Sequence, residues 1–479
     1  MNTDSDKNKK RVAIIGGGLA GLSAAESLLR CHADRFAVTL LESKRVTGGR
    51  AGSFERADGA DGNHSDVVDY CQHVAMGCCT NLIGLMNRCE LMDTWQRYDE
   101  LTFLHPDHPP SRFGPAKWLP APLHLALAIS QLNHLTWQQH RSIRHGLLRL
   151  MRTRSEDLRD VTAENWLIRV GQERSTIRDF WDVILVSALG EESKHVSMAA
   201  ARKVLIDGFA RCKGASDILV PTQPLSKLIG QQLTGAIRDL GAIIRTQSTV
   251  DSVIDSPRGV RLADADLPCD HVISAVPWHV VERLLSEPAV ASSIRNLQTI
   301  KQFPTSSITG LHLWFDRPIT DLPHAVLVGT ISQWLFRDPV AAESSDRIDG
   351  HYYQVVISAS RQAKTMGKTE LVQQVCGELR RLFPAAGNAQ LIRSQVVTDP
   401  NSVFSVRPEV ESTRPPAHTA LPWFHLAGDW IATTWPATME GAVISGIMAA
   451  SSVMENEGIA GIQPDPGLSD GLLSKWLIK

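Results

Sequence analysis

The chain has 479 residues, more than one hydrophobic core usually fills, so two structural domains are expected. Hydrophobic residues make up 43% and charged residues 21% of the sequence, which is the composition of a soluble globular protein. The 49 lysines and arginines nearly balance the 51 aspartates and glutamates. This balance excludes a nucleic-acid binder that relies on a general positive field, and no nucleic-acid partner is expected.

Three further features of the composition concern location and metals. The first ten residues are polar and lack the apolar stretch of a secretory signal, so a short tail and a cytoplasmic protein are expected. No run of about 18 uncharged apolar residues occurs, so a membrane-spanning helix is not expected. The eight cysteines show no C-x-x-C spacing and no histidine partners at zinc-site distances, which predicts reduced thiols and no metal site.

The residues after this tail have the pattern of a dinucleotide-binding βαβ unit. Residues 12–15 predict a buried strand, 22–29 a helix, and 37–41 a second strand that ends at Glu42. The sequence GGGLAG joins the first strand to the helix, and its glycines allow a tight turn, close approach to a pyrophosphate and close helix packing. Glu42 is placed to accept hydrogen bonds from a ribose. The residues of the glycine block expected to contact the cofactor are Gly16, Gly18, Ala20 and Gly21.

Nicotinamide and flavin dinucleotides share this βαβ unit, and a Gly-Gly-Arg sequence after Glu42 separates them. Gly48 and Gly49 permit close approach of the backbone, and Arg50 adds a fixed cation near phosphate oxygens. A glutamate followed at this spacing by Gly-Gly-Arg is similar to the continuation found in amine oxidases, carotenoid desaturases and their relatives. The sequence therefore favours a flavin.

The end of the chain supplies the second half of the flavin signature. Asp429 follows Gly428 at the end of a predicted strand, where its carboxylate can hold a ribityl or ribose hydroxyl. A helix is predicted to begin around Met439, with its backbone N–H groups and positive dipole end directed at an isoalloxazine ring. Negative charge that develops on the reduced ring is stabilised there, and the Met439 amide is the best candidate for this contact. We therefore predict that the protein binds FAD.

The middle of the chain contains two segments that are predicted to lie outside the cofactor domain. A turn-rich stretch covers 57–63, and 82–201 is predicted to be mostly helical. Residues 308–315 and 351–357 have the two-residue period of half-buried antiparallel strands. Segments expected to return to the cofactor domain are a helix over 224–233 and strands over 241–245, 249–254 and 270–277.

The expected class is therefore an α/β fold, in which a Rossmann-like FAD-binding domain is interleaved with an α+β substrate-binding domain. We assign 11–81, 202–277 and 400–455 to the FAD-binding domain, 82–201 and 278–399 to the substrate domain, and 1–10 and 456–479 to tails.

Two short apolar segments each allow two interpretations. Residues 118–129, WLPAPLHLALAI, predict either a buried helix after a turn or an apolar lip that touches lipid, and the short length favours the buried helix. Residues 472–479 place Trp476 and several apolar residues beside two lysines, which suits a membrane interface. Segments of this kind more often pack on their own domain.

The glycine block, the Gly-Gly-Arg sequence and the terminal Gly-Asp-Trp with Pro-Ala-Thr-Met-Glu-Gly-Ala resemble the FAD-dependent amine oxidase and phytoene desaturase superfamily. The segments 72–81, 220–226 and 435–442 are similar to the squalene-associated FAD-dependent desaturases of hopanoid biosynthesis, also called hydroxysqualene dehydroxylases. One departure is Tyr70-Cys71, where that family is expected to carry a small polar residue and a glycine. The superfamily resemblance implies that the backbone around Val250 reaches the adenine.

The narrower resemblance implies an enzyme that replaces the hydroxyl of hydroxysqualene by hydride from reduced FAD, releasing water and forming squalene. This reaction needs a proton donor, for which His73 is the candidate; a hydrogen-bonded core histidine is the alternative interpretation. An isoprenoid hydrocarbon substrate implies peripheral contact with the inner face of a membrane. Neither the electron donor nor the oligomeric state is indicated by the sequence.

Two other functions fit the same motifs. An oxidase or desaturase would act on an amine or a carotenoid precursor and use the flavin in the oxidative direction. An amine oxidase is expected to carry aromatic residues beside the flavin, and Trp430 and Trp435 leave that interpretation open. Lipid chaperones related to this fold escort prenylated partners without redox turnover, but retention of both flavin blocks argues against a non-enzymatic escort protein.

Overall fold

The architecture is that of a computed structural model, which describes residues 9–55, 67–337 and 350–479. The turn-rich stretch predicted over 57–63 and residues 1–8 of the predicted N-terminal tail lie outside the described residues. Lys10, assigned to that tail, instead begins the first strand.

Short and medium-length strands are distributed along the whole chain. In the described residues they are β1 (Lys10–Ile15), β2 (Phe36–Leu41), β3 (Ser53–Glu55), β4 (Val67–Asp69), β5 (Ala75–Met76), β6 (Trp95–Tyr98), β7 (Leu101–His105), β8 (His108–Phe113), β9 (Ile218–Pro221), β10 (Ile243–Arg245), β11 (Val250–Ile254), β12 (Gly259–Leu262), β13 (Asp266–Pro268), β14 (His271–Ser274), β15 (Thr305–Phe315), β16 (His324–Leu327), β17 (Trp334–Arg337), β18 (His351–Ile357), β19 (Leu391–Phe404) and β20 (Phe424–Leu426).

Helices alternate with these strands. In the described residues they are α1 (Leu19–His32), α2 (Thr80–Arg88), α3 (Ala126–Ser130), α4 (Trp137–Met151), α5 (Ala163–Arg169), α6 (Arg174–Thr176), α7 (Asp182–Leu189), α8 (Met198–Arg202), α9 (Leu225–Lys227), α10 (Thr234–Asp239), α11 (Trp278–Val281), α12 (Pro288–Ser293), α13 (Leu297–Ile300), α14 (Arg361–Thr365), α15 (Lys368–Leu382), α16 (Pro408–Glu411), α17 (Met439–Asn456) and α18 (Ser474–Leu477). Three π-helical stretches, Ile177–Trp181, Lys203–Ala210 and Leu228–Leu233, adjoin these helices.

A five-stranded parallel sheet, ordered β10-β2-β1-β14-β20, occupies the centre of the cofactor region. Its central strands are short apolar runs, as expected where helices cover a parallel sheet. The five strands come from all three segments assigned to the FAD-binding domain. The sheet confirms the predicted α/β class.

The exact division into domains stays a prediction, and two of its boundaries lie inside continuous elements. The boundary between 201 and 202 falls in α8, which runs on into the π-helical stretch Lys203–Ala210. The boundary between 399 and 400 falls in the long strand β19.

A seven-stranded mixed sheet, ordered β19-β15-β18-β17-β16-β7-β8, dominates the substrate region. The antiparallel pairing predicted for 308–315 and 351–357 is confirmed, because β15 runs antiparallel to β18. The expectation that these strands are half-buried is wrong, since most residues of both strands are buried. Helices such as α15 and neighbouring loops cover the sheet, so neither strand has a solvated face.

Residues 82–201 are less helical than predicted. They contain β6, β7 and β8, and the last two complete one edge of the seven-stranded sheet. β8 includes Pro109 and Pro110, which an edge strand tolerates because one row of its N–H groups needs no partner.

The two ambiguous apolar segments are also placed. Instead of one buried helix, the stretch 118–129 forms a short 3₁₀ turn and part of α3, and it leaves Trp118, Leu123 and Leu127 exposed. Residues 456–479 are packed against the protein rather than forming a tail: the Asp465 amide donates to the Asn81 side chain at 2.8 Å. No helix within the described residues has the length and apolar character needed to cross a bilayer.

Candidate cofactor site

The glycine block near the start of the chain and the region 428–439 near its end, which together form the flavin signature, lie side by side. The helices that follow them, α1 and α17, pack so closely that a Cβ added to Gly446 would lie 2.3 Å from the Ala20 carbonyl oxygen. The Ser23 hydroxyl donates to the Val443 carbonyl at 2.9 Å. Residues more than four hundred positions apart therefore build one site, as the pairing of motifs predicted.

The glycine block forms the expected tight turn at the start of α1. Gly16 has a φ of +107°, and a Cβ on Gly21 would lie 2.0 Å from the Gly16 carbonyl oxygen, so neither position accepts a side chain. Gly18 precedes the helix without a side-chain cap, and the first helical bond runs from the Leu22 amide to Gly18. The amides of Ala20 and Gly21 thus have no protein acceptor among the described residues, which suits an anion.

Glu42 is buried at the end of β2, where its carboxylate and its carbonyl hold neighbouring parts of the chain. One carboxylate oxygen accepts from the Gly17 amide and the other from the Lys44 amide, both at 2.8 Å. The Ser248 amide donates to the Glu42 carbonyl at 2.9 Å, which brings the chain just before Val250 alongside the end of β2. The predicted ribose and adenine contacts of Glu42 and Val250 stay predictions.

Arg50 joins the front and back blocks. The Gly48 amide donates to the Gly17 carbonyl at 2.8 Å, so the Gly-Gly-Arg turn lies against the glycine block, and a Cβ on Gly49 would lie 3.2 Å from the Gly18 Cα. From this position, one nitrogen of Arg50 lies 2.6 Å from the Asp429 carboxylate. The cation expected near phosphates and the carboxylate expected near a sugar hydroxyl are therefore an ion pair.

The flavin end of the site is a turn followed by a helix start. Gly428 has a φ of +132°, and its amide donates to the Ser445 hydroxyl at 2.7 Å, which ties the turn to α17. Asp429, next in sequence, is buried. α17 begins at Met439 as predicted, and the Thr438 hydroxyl caps it by accepting from the Gly441 amide at 3.1 Å.

Arg414, which the sequence did not single out, holds the loop between this turn and α17. Its buried guanidinium donates to the carbonyls of Asp429 at 2.9 Å and Trp435 at 2.8 Å, and also to the Ile431 carbonyl. A lone arginine outside any motif gives no sequence signal. Its position within the fold makes it the internal support of the loop between the Gly428 turn and α17, which we call the flavin loop.

Glu440 is a second buried group that sequence analysis missed as a site element. Its carboxylate accepts from the Leu82 amide at 2.8 Å and from the amide and side chain of Asn81 at 3.0 and 2.8 Å. Since these residues open α2, Glu440 joins the first turns of α2 and α17. The Glu and Asn of the two family-like segments are the signal that could have identified this contact.

The segment 69–73 contains an aspartate and a histidine whose pKa values are shifted. Burial raises the pKa of Asp69 to about 6, even though the Ser53 hydroxyl and the Leu225 amide both donate to its carboxylate. Burial lowers the pKa of His73 below its ordinary value; its Nδ1 lies 2.8 Å from the Cys71 carbonyl oxygen, and the nearby charge of Arg50 lowers the pKa further. Histidine at this position was predicted as a proton donor, and that role stays a prediction.

Comparison with known proteins agrees with this geometry. The sequence matches the flavin containing amine oxidoreductases over residues 19–454. The chain belongs to this family. FAD is the cofactor of this flavin-containing oxidoreductase. The residues predicted to hold it are the glycine block, Glu42, Arg50, Asp429 and the start of α17.

Individual relatives differ in their named activities. The chain is 27% identical over 482 residues to a 15-cis-phytoene desaturase of an Oncidium hybrid cultivar, covering 95% of this chain and 79% of that protein. It is 25% identical over 458 residues to the hydroxysqualene dehydroxylase of Zymomonas mobilis, covering 92% of this chain and 99% of that protein. Cyclohexylamine oxidase from Brevibacterium oxydans has the same fold, with a TM-score of 0.64 and 18% identity over 94% of this chain and 100% of that chain.

Proposed function

We propose that this flavin-containing oxidoreductase removes the hydroxyl group of hydroxysqualene reductively to give squalene. The observation that carries the proposal is a partly buried carboxyl, Asp69, three residues before the segment 72–81 that resembles the hydroxysqualene dehydroxylases. The end-to-end similarity to the Zymomonas mobilis dehydroxylase supports the same choice.

Loss of an allylic hydroxyl as water requires a proton and leaves a delocalised cation. Reduced FAD, when bound, would supply the hydride that this cation accepts. Asp69 suits the proton step because its raised pKa of about 6 keeps part of the carboxyl population protonated near neutral pH. One oxygen of Asp69 holds the Ser53 hydroxyl and the Leu225 amide, whereas its second oxygen bonds no described residue and can carry the proton.

His73 is suited to a different part of the same step. With Nδ1 donating to the Cys71 carbonyl, a neutral ring has only the lone pair of Nε2 left to offer. In this state His73 accepts a hydrogen bond and orients a hydroxyl group, and it donates a proton only when the ring is charged. In the proposed dehydroxylation, Asp69 therefore donates the proton and His73 orients the hydroxyl group of the substrate.

Anaerobic turnover tests the function. Purified protein with chemically reduced FAD and hydroxysqualene is expected to yield squalene, measured by gas chromatography with mass spectrometry. Phytoene incubated with oxidised enzyme and a quinone is expected to stay unchanged. Desaturation of phytoene without formation of squalene would overturn the proposal.

Two variants separate the assigned roles. Asp69→Asn keeps an acceptor for Ser53 and Leu225 but cannot donate a carboxylic proton, so squalene formation should fall about 100-fold or more. His73→Gln should raise KM more than it lowers kcat, because an orienting group is lost. Asp99→Asn, an exposed aspartate outside the site, is the matched control, and it should retain normal turnover.

A second candidate, desaturation of a carotenoid precursor, is favoured by the 27% identity to the Oncidium desaturase. Desaturation withdraws hydride and a proton from the substrate, so it needs a base rather than an acid. Under that function His73→Gln would reduce turnover more than Asp69→Asn does.

A further inference from the structure

Two separate segments, 118–127 and 468–476, place large apolar side chains in solvent. The side chains of Trp118, Leu472 and Trp476 are 75%, 82% and 89% exposed. Leu123, Leu127 and Leu468 are exposed in the same two segments. We call these six residues the Trp118–Trp476 surface.

The two segments adjoin each other in space. A Cβ added to Gly471 would lie 3.1 Å from the Cβ of Ala121, so the backbones nearly touch. The short stretch 211–213 bridges them: the Lys213 ammonium donates to the Lys117 carbonyl at 2.7 Å, and the Cys212 thiol donates to the Leu468 carbonyl at 3.4 Å. The exposed side chains therefore belong to one continuous surface.

The chain beneath this surface is anchored. The Ser474 hydroxyl is buried and donates to the Arg211 carbonyl at 2.6 Å. At the far end of α18, the Lys479 amide donates to the Met151 carbonyl at 2.8 Å. An anchored segment that still leaves Leu472 and Trp476 exposed is unlike one that packs its apolar side chains on its own domain.

The charges around the apolar side chains are mainly positive. The Lys117 side chain is 88% exposed, and its nearest carboxylate oxygen, on Asp99, is 3.8 Å away. Lys213 and Lys475 are exposed and form no ion pair within the described part of the chain. The nearby carboxylate of Asp470 is neutralised by Arg211 at 3.2 Å. Positive charge next to exposed tryptophan complements an anionic, partly apolar surface.

We propose that the Trp118–Trp476 surface docks the protein on the headgroup region of an anionic lipid bilayer. Tryptophan and leucine bury in the boundary between headgroups and acyl chains, while lysines remain at the level of the anionic headgroups. Docking in this way needs no spanning helix. The proposal does not depend on which substrate the enzyme takes, because docking is measured without turnover.

Co-sedimentation with vesicles tests the proposal on the FAD-loaded protein. Binding is expected to vesicles of phosphatidylglycerol and phosphatidylcholine in equal parts, and to be weaker on phosphatidylcholine alone. The triple variant Trp118→Ser, Leu472→Ser, Trp476→Ser should bind at least about tenfold more weakly. The double variant Lys213→Gln, Lys475→Gln should bind the anionic vesicles about fivefold more weakly for each lysine replaced. Its binding to phosphatidylcholine vesicles should match that of the wild type.

A matched control replaces equally apolar exposed residues elsewhere. Ile243 on β10 and Ile392 on β19 are exposed, and Ile243→Ser with Ile392→Ser should bind vesicles like the wild type. Flavin absorbance should be unchanged in every variant. The melting temperature should be unchanged too, except for a small decrease where Lys213→Gln removes the hydrogen bond to the Lys117 carbonyl. Equal vesicle binding by the wild type and the triple variant would overturn the proposal. The proposal would also be overturned if the wild type did not bind vesicles but formed dimers that the triple variant did not form. In that case a second copy of the chain would cover this surface.

Discussion

The cofactor region and the substrate region of this protein are stabilised differently. The cofactor region depends on close backbone contacts at glycines and on buried polar groups such as Glu42, Arg414 and Glu440, which hold one turn or helix end each. The substrate region depends on a large sheet whose long strands are buried by apolar side chains. Single substitutions should therefore cause large losses of stability or FAD binding in the cofactor region, and smaller losses of stability in the substrate region.

The largest effect is expected from Gly21→Ala. The added methyl group would lie 2.0 Å from the Gly16 carbonyl oxygen, so the turn predicted to receive the pyrophosphate must open. We expect protein that retains little or no FAD, measured from the flavin absorbance of the purified protein. The control is Gly377→Ala in α15, where a Cβ meets no atom within 4 Å; it should keep FAD and gain up to about 1 kcal/mol of stability.

Arg414→Met should have the next largest effect. It removes the donors for the Asp429 and Trp435 carbonyls, and the buried acceptors left behind should lower the free energy of unfolding by about 3 kcal/mol. Denaturant titration measures this change, and isothermal titration should show weaker FAD binding. Arg380→Met on the exposed side of α15 is the control, expected within about 0.5 kcal/mol of wild type. An equal loss in both variants would show that Arg414 does not support the flavin loop.

Asp69 predicts a specific pH dependence of stability. Its folded-state pKa of about 6 is above the ordinary value of 3.8. The folded state therefore holds this proton more tightly than the unfolded state does, and that stabilisation is lost as the pH rises from about 4 to about 6. Relative to Asp69→Asn, the wild type should become less stable over this interval in denaturant titrations. Parallel curves for the two proteins would contradict the raised pKa.

The smallest effect is expected in the substrate sheet. The Tyr353 hydroxyl accepts from the Ile319 amide at 3.1 Å and donates to the Thr320 carbonyl at 3.2 Å. Tyr353→Phe should cost about 1 kcal/mol of unfolding free energy and leave the flavin spectrum unchanged. Loss of FAD in this variant would show that the two regions are coupled more tightly than their contacts suggest.

The parts predictable from sequence were those in which local chemistry decides the conformation. Gly16 and Gly21 have no tolerated substitute at their positions, and the apolar run before them fits only a covered strand, so the βαβ unit could be predicted from residues alone. The paired flavin motifs similarly required a common site. Met439 could be placed at a helix start because Thr438 is a good cap.

Other parts depend on distant partners that no local pattern indicates. β7 and β8 contain histidines and prolines, and they are strands because they pair with each other and with β16. Arg414 is buried among three carbonyls of a later loop, with the Glu411 carboxylate 3.0 Å from its guanidinium. The exposure of Trp118 and Trp476 could not be predicted either, since an apolar segment has the same sequence whether its neighbours cover it or not.

The position of β1 has a consequence for synthesis of the chain. β1 lies between β2 and β14, and its register pairs Ile14 with Ile273, while Arg50 finds Asp429 only near the end of the sequence. At about 5–20 residues per second, the front block leaves the ribosome roughly 20–80 s before its partner block exists. For the first part of that interval, until β14 has been made, one edge of β1 is without its native neighbour. FAD can be fully enclosed only after the last part of the chain has been made, so cofactor capture is a late event in the biogenesis of this enzyme.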